Sequence, residues 1–428
     1  MIDRLKCNGK RVKNCKKQSS ALCFGNYASL IYYIAFINRF MGFLPYKLES
    51  SKFMYSKLHS VFSTIIIIIY LFFAIFSLYE INFYAIMDDR IPDILHCNSI
   101  ALFGSAIFIC SYASNRSTLQ AIQRVQYVSH ALSAEIFNKL IKTLLIKDLL
   151  FFMPLGIFIL YVIDNHDFKI FFFICWYSFF GLLVISTLYL NNIYILNACF
   201  KFINNSLIKI KEILINDEPH LLRREYHMKK NPILLMELRI LKKQYMELIE
   251  AVHLLNHSYS LKNEMILLML FFDITFNLYF YLVVYNTEVG KITKINSTLG
   301  FAIFYIVYIV ISISMIEIIR VQMKKIGSNI HKILVHTFDD QIITELELFS
   351  LEVLQKDNRF IMFGLEMDLT LVTDVSKEKI LSRKSINFFS PSILFYFIDD
   401  VQNYYLFINV DTIFVCSTLL KINFDQLR

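Results

Sequence analysis

Six long apolar segments constrain this sequence more than any other feature, because each is long enough to cross a membrane as a helix. The first contains a run of isoleucine at positions 65–69, which is typical of a surface that faces lipid. Apolar residues make up 56% of the 428 residues, and only ten Gly and six Pro occur. Barrel strands would need regular turn residues, so membrane helices are predicted instead. The predicted spans are residues 61–83, 94–113, 144–163, 170–196, 265–285 and 299–319.

The sequence therefore predicts an all-α fold: a polytopic membrane helical bundle with six clear spans, a doubtful seventh, and helical extensions in the cytosol. An apolar run at 21–37 resembles a signal sequence, but no small-residue cleavage site follows it, so a retained and partly buried helix is expected. The predicted regions are a basic cytosolic N-terminus with this helix (1–60), the six-span bundle (61–319) with a cytosolic helical loop (197–264), a cytosolic helical segment (320–375), and a divergent tail (376–428).

Loop charges predict the orientation, because Lys and Arg are retained on the cytoplasmic side of a membrane. Residues 1–17 contain seven Lys or Arg against one Asp, residues 116–147 contain five, and residues 201–262 contain eleven. Residues 80–93, between the first two spans, are mainly acidic. A cytoplasmic N-terminus fits all of these loops, in a protein whose surroundings are the lipid bilayer. The same topology accounts for the net charge of +8, so no nucleic-acid partner is expected.

The cytosolic loop before the fifth span contains a heptad pattern, in which apolar residues alternate at spacings of four and three. This pattern predicts one helix that runs from Ile233 directly into the fifth span. The seam either packs against helices of its own chain or joins subunits below the membrane. A similar pattern after the sixth span predicts a further helical extension. The seam residues are Leu234, Leu238, Leu241, Tyr245, Leu248, Val252, Leu255 and Tyr259.

Asp273 lies in the middle of the fifth span, and Asn277 follows one helical turn later. An ionisable residue at that depth is costly, which makes it a candidate for an ion path or a ligand contact. The alternative is a purely structural role, a hydrogen bond between helices. No P-loop, GxSxG or HExxH pattern occurs, so we predict no enzyme activity and no cofactor or metal site.

Aromatic side chains crowd the outer halves of the predicted spans. A belt at the membrane–water boundary is the favoured interpretation. If some of them instead face a cavity, they would line an apolar pocket with hydroxyl groups, suited to a small organic ligand. The candidate pocket residues are Tyr161, Trp176, Tyr177, Tyr281, Tyr305 and Tyr308.

Two stretches resemble the insect gustatory receptor family, over about residues 31–375. The first is IYYIAFINRFMGFLPY, which contains Gly42 and Pro45. The second is LFSLEVLQ followed by FGLEMDLTLV. The basic N-terminus and the charged helices before the fifth span occur in the order typical of that family. The positions that match its pattern in the second stretch are Phe349, Leu351, Gly364, Asp368 and Leu371.

The resemblance implies a seven-span, ligand-gated cation channel assembled as a homo- or hetero-tetramer of related subunits. Each subunit would contribute its seventh helix to a central pore, and a small-molecule ligand would bind among the outer halves of the other spans. The heptad helix would belong to a cytosolic anchor where subunits meet.

The tail departs from the family pattern, in which the last helix carries Thr-Tyr and ends in Gln-Phe. Residues 376–384 are polar and basic, and the apolar run at 386–398 is too short to span a membrane. A run at 404–420 is near the lower limit and contains Asp411, which a divergent seventh helix would place towards the pore. The alternatives are a non-conducting product without a proper pore helix, a seven-span receptor coupled to G proteins, and a transporter.

Overall fold

A computed structural model describes residues 27–49, 52–83, 91–165, 170–216, 232–287, 292–337, 339–355, 361–362 and 365–366. Almost all of this part is helical, which confirms the all-α prediction. The helices are α1 (Tyr27–Phe40), α2 (Lys57–Phe83), α3 (Ile91–Ala113), α4 (Asn115–Ser129), α5 (Ala134–Asn165), α6 (Ile170–Asn216), α7 (Pro232–Thr287), α8 (Ile292–Val335) and α9 (Asp340–Gln355).

Two short antiparallel strands follow α1 and were not predicted: β1 (Tyr46–Glu49) pairs with β2 (Lys52–Tyr55). The chain turns into them at Gly42, whose φ of +80° favours glycine. A second small pair, β3 (Ile361–Met362) with β4 (Leu365–Glu366), interrupts the region predicted to be helical after the sixth span. Both pairs are too short to produce a clear alternation of apolar and polar residues.

By length and composition, five helical stretches in the described residues are able to cross a membrane. They are Lys57–Phe83, Ile91–Ala113, Phe173–Ile215, Pro232–Leu282 and Ile303–Val335. The first two contain the predicted spans 61–83 and 94–113, and the other three overlap most of 170–196, 265–285 and 299–319. The remaining predicted span, 144–163, lies within the 32-residue helix α5 and stays a prediction, since the side chains at 157–165 lie outside the described part.

The helices continue well beyond the predicted spans. The heptad helix and the fifth span form one 56-residue helix, α7, which confirms the predicted continuity. The expected extension after the sixth span is also present, as the 44-residue helix α8 and then α9. Residues 367–428 lie outside the described part, and they include Asp411, the 404–420 run and the family positions Asp368 and Leu371. Gly364, between β3 and β4, lies outside it too.

All eight seam residues of α7 are buried within this single chain. The ring of Tyr245, for example, lies 5.4 Å from that of Phe349 on α9 and 6.4 Å from that of Phe200 on α6. The seam therefore packs against helices of its own chain, and its role in joining subunits stays a prediction. The heptad spacing repeats because α6, α8 and α9 surround one long stripe of α7.

Salt bridges reinforce the contact between α7 and α9. Lys242 Nζ lies 3.2 Å from a Glu345 oxygen and 3.5 Å from a Glu352 oxygen. Arg239 Nε lies 3.2 Å from the second Glu345 oxygen. Charged side chains outside the seam of α7 thus help to dock α9.

Candidate functional site

A buried carboxylate connects three helices in the half of the bundle predicted to be extracellular. Asp273 on α7 is 3% exposed. Its Oδ1 lies 2.8 Å from Nε2 of His96 on α3, and its Oδ2 accepts a 3.0 Å hydrogen bond from the Asn277 side chain. The Tyr305 hydroxyl on α8 is a further hydrogen-bond partner of the carboxylate. The four side chains, here called the Asp273 cluster, thus join α3, α7 and α8.

Aromatic rings surround the Asp273 cluster. The His96 imidazole lies 5.0 Å from the ring of Phe276 and 5.6 Å from that of Phe280, measured between centroids. On α8 the Tyr305 ring stacks on Phe179 of α6 at 5.7 Å. The carboxylate is therefore enclosed by apolar surface, where a polar interaction is stronger than in water.

Helix α6 presents aromatic side chains to several neighbouring helices. Tyr177 stacks on Tyr70 of α2 at 5.4 Å and meets Phe108 of α3 edge-on at 5.4 Å. Trp176 stacks on Phe180, one turn further along α6, at 5.4 Å. The indole N–H of Trp176 is buried and finds no acceptor among the residues that the structure describes. A buried donor of this kind calls for an explanation, and a ligand acceptor is one candidate.

Two glycines let α3 and α6 approach closely. A Cβ at Gly104 would lie 2.5 Å from Oγ of Ser178, and a Cβ at Gly181 would lie 2.5 Å from Cε1 of Phe108. The hydroxyl groups of Tyr70 and Ser178 are 2.8 Å apart in the same contact. Small residues at such crossings are typical of packed membrane helices.

The predicted pocket residues are distributed around this half of the bundle and do not form one tight group. Tyr305 and Tyr308 are both 5% exposed, so the interfacial belt favoured for them is wrong: they fill the contact between α6 and α8. Trp176, Tyr177 and Tyr281 are half-buried. The side chain of Tyr161 lies outside the described part. The pocket itself stays a prediction.

Asp273 makes a hydrogen bond between helices, because it reaches His96 on α3, and its role in an ion path or a ligand contact stays a prediction. Among the family positions, Gly42 and Pro45 are buried after α1, and Phe349 is buried on α9. Leu351 is 52% exposed, so it is not a core position in this chain.

Sequence reasoning missed His96, although it is an ionisable residue near the start of the second predicted span. It also missed a second buried polar group, here called the Asp148 cluster. Lys147 Nζ lies 2.9 Å from Asp148 Oδ1 and donates a 2.6 Å hydrogen bond to Asn191 of α6. Asn191 donates to Asp148 Oδ2 at 2.8 Å, and Tyr33 of α1 donates to the same oxygen. Two adjacent charges inside the third predicted span were the available signal.

Chemically, the Asp273 cluster is suited to switching and recognition rather than to covalent catalysis. Its hydrogen bonds connect helices that a ligand could displace relative to each other, and aromatic rings adjoin it. Within the described residues no group of three or more His, Cys, Asp or Glu side chains is placed to hold a metal ion.

Comparisons with known proteins agree with this architecture. The model of a family described as 7tm Chemosensory receptor matches residues 31–374, close to the interval over which the sequence resembled insect chemoreceptors. The solved structure of the insect olfactory receptor OR5 from Machilis hrabei is similar, with a TM-score of 0.54 at 11% identity, covering 82% of this chain and 95% of that one.

A structure of the same olfactory receptor in complex with eugenol matches with a TM-score of 0.47 at 12% identity, over the same 82% and 95% of the two chains. No curated protein sequence matches. Because the identities are this low, the likeness to solved structures concerns the fold alone.

Proposed function

Because this chain belongs to the 7tm chemosensory receptor family, we propose that it is a gustatory-type chemoreceptor subunit of the plasma membrane. In this proposal it forms a ligand-gated cation channel with identical or related subunits, as a tetramer, and detects small organic tastant molecules. The N-terminus is cytoplasmic, and residues after 375 supply the pore, with Asp411 on its side.

One observation carries the proposal: the buried Asp273 cluster joins three helices beside aromatic side chains. A small organic ligand binds best in apolar, aromatic surroundings that hold a few well-placed polar groups. The indole N–H of Trp176, which has no acceptor among the described residues, would donate to a carbonyl, hydroxyl or ether oxygen of the ligand. Ligand binding that favours one arrangement of α3, α7 and α8 over another would shift the receptor between closed and open states.

Helix α7 supports a route from the ligand to the cytosolic layer. Its 56 residues form one uninterrupted helix, which spans roughly 84 Å at the usual helical rise. Asp273 lies in its outer part, and the buried seam ends near Leu234 at its other end. A tilt imposed at Asp273 would therefore move the surface that docks α9. Helix α9 directly precedes the region expected to lead into the pore.

The test is to express this chain and record currents during application of a panel of small organic compounds. For any compound that evokes a cation current, Asp273→Asn is expected to change the half-maximal concentration by about tenfold or more, because it replaces a charge-assisted hydrogen bond to His96 by a neutral one. Trp176→Phe keeps an aromatic ring and removes the N–H donor, so it should raise the half-maximal concentration of compounds that carry an oxygen acceptor.

The matched control is Thr275→Val. Thr275 lies on the exposed face of α7, where its hydroxyl bonds only to the Phe271 carbonyl within the same helix. This variant should respond like the wild type at equal surface expression. Unchanged half-maximal concentrations in Asp273→Asn and Trp176→Phe would contradict the placement of the ligand site. Full surface expression without any evoked current would favour the non-conducting alternative.

A further inference from the structure

A cluster of basic side chains lies around the first hairpin, where α1, α2 and α4 meet. Tyr46 and Tyr55 are directly paired across β1 and β2. The Arg39 guanidinium of α1 lies over the Tyr46 ring, 5.7 Å from its centroid, and the Arg116 guanidinium of α4 lies over the Tyr55 ring at 5.4 Å. The register thus brings two guanidinium groups from distant parts of the sequence to the same end of one hairpin.

Neither guanidinium has a carboxylate partner among the residues that the structure describes. Other arginines of the chain do: Arg124 pairs with Glu250, and Arg239 pairs with Glu345. The nearest acid of the hairpin, Glu49, lies at its opposite end and is near Lys47. Contact with a tyrosine ring positions each guanidinium, and Arg116 also hydrogen-bonds to the Tyr55 hydroxyl, which uses only part of its five N–H donors.

Two basic groups stand at helix N-termini, where positive charge is locally unfavourable, whereas Arg39 lies in the last turn of α1. Lys57 is the first residue of α2, and Arg116 is the second residue of α4. Neither helix has an acidic residue in its first turn. An anion at this position would compensate both the helix dipoles and the side-chain charges.

Tyr55 connects these groups. A hydrogen bond with Ser60 of α2, followed by the influence of Arg116 and Lys57, holds the pKa of the Tyr55 phenol below its ordinary value. The phenol is therefore in a locally positive environment that extends over the first turns of α2 and α4. Arg39 also acts electrostatically on His59, which brings the α1 cation to the same turn of α2.

We propose that Arg39, Lys57 and Arg116 form a binding site for a phosphate group, here called the hairpin phosphate site. Each of the two guanidinium groups can hydrogen-bond to phosphate oxygens with paired N–H donors, and Lys57 adds a positive charge. The phosphate is carried either by an inner-leaflet phospholipid headgroup or by a soluble phosphate compound. Exposed apolar side chains nearby, Phe40 at 67% and Leu58 at 77%, fit a position at the membrane boundary.

The lipid source rests on the proposed orientation, which places this hairpin at the cytoplasmic face. The binding test below does not depend on channel activity, so it can succeed or fail independently of the proposed function. The full-length purified chain is titrated with dioctanoyl phosphatidic acid, with dioctanoyl phosphatidylcholine as the zwitterionic comparison, and with inorganic phosphate as competitor.

Wild-type protein is expected to prefer phosphatidic acid to phosphatidylcholine. Arg39→Gln with Arg116→Gln should weaken phosphatidic acid binding by about tenfold or more, because two charged hydrogen-bonding groups are lost. Arg39→Lys with Arg116→Lys should be intermediate, since lysine keeps the charge but not the paired donors. Lys324→Gln with Lys325→Gln removes two exposed charges from α8 and should leave the affinity unchanged.

Competition by inorganic phosphate at similar concentrations would assign the site to soluble phosphates, whereas displacement only by the lipid would assign it to headgroups. The proposal is overturned if the double glutamine variant binds like the wild type, if the α8 control loses as much affinity, or if phosphatidylcholine binds equally well. Should the double variant not fold, Lys57→Gln, an exposed single change, is measured by the same criteria.

Discussion

At the scale of single residues, the most informative side chains are charges that sequence reasoning passed over. Lys147 and Asp148 are adjacent in sequence and both are mostly buried, with side chains 14% and 3% exposed. Asp273 was recognised because it stands alone in an apolar run, but its partner His96 lies 177 positions away. A sequence marks a costly buried charge, whereas only the fold identifies what satisfies it.

The Asp148 cluster yields a prediction about stability. Asp148→Asn leaves Lys147 buried without a counter-charge and should lower the free energy of unfolding by about 3–5 kcal/mol. The reason is that a buried charge without its partner keeps the desolvation cost and loses the attraction. The measurement is unfolding of the detergent-solubilised chain, followed by circular dichroism or tryptophan fluorescence.

The double variant Lys147→Met with Asp148→Asn provides the control for this prediction. It removes both charges but keeps an acceptor for Tyr33 and Asn191, which bond to Asp148. It should be more stable than Asp148→Asn alone. If the double variant loses as much stability as Lys147→Met and Asp148→Asn together, the two charges do not interact.

At the scale of elements, α6 is central to the half of the bundle predicted to be extracellular, because it contacts α2, α3, α5 and α8. Its approach to α3 depends on Gly181, where an added Cβ would also lie 3.0 Å from Cζ of Phe43. Phe108 is 1% exposed and Phe43 is 4% exposed, so neither ring can move into solvent. The crossing geometry of α3 and α6 is therefore sensitive to a single methyl group.

We expect Gly181→Ala to destabilise the chain by about 1–3 kcal/mol, the usual cost of overpacking a filled core. Gly156→Ala on α5 is the matched control, since a Cβ there meets none of the described atoms within 4 Å. That change should be neutral or stabilising, because alanine is the better helix former. Comparison of the two melting temperatures in the same detergent checks the prediction. Equal behaviour of both variants would contradict the tight crossing.

At the scale of the whole molecule, the helices that continue beyond the predicted spans do so on the side that loop charges predict to be cytosolic. Helices α7 and α8 extend far beyond the predicted spans and end in a layer where α9 docks by salt bridges. The predicted orientation places this layer in the cytosol, because residues 201–262 alone contain eleven Lys or Arg.

An epitope tag tests this orientation. A tag before Met1 should be inaccessible to antibody on intact cells and become accessible after permeabilisation. A tag inserted between α7 and α8, at residues 288–291, should be accessible on intact cells and serves as the matched positive control. Surface labelling of the N-terminal tag would reverse the topology and revive the alternative of a receptor coupled to G proteins.

The sequence by itself determined the helical membrane class, five of the six spans seen as long apolar helices, the continuity of α7 and the resemblance to chemoreceptors. Each rests on local information, either the length of an apolar run or a spacing along one helix. Sequence reasoning also located Asp273 and Asn277 as costly polar residues.

Only the tertiary structure decided what these patterns touch. The heptad seam is buried within its own chain, Tyr305 and Tyr308 face the interior, and Asp273 meets His96. Likewise, only the structure shows the hairpin in which Tyr46 pairs with Tyr55. Arg39 and Arg116, which are distant in sequence, lie over these two rings. These contacts depend on which helices become neighbours, and a periodic pattern states which face is buried without stating against what.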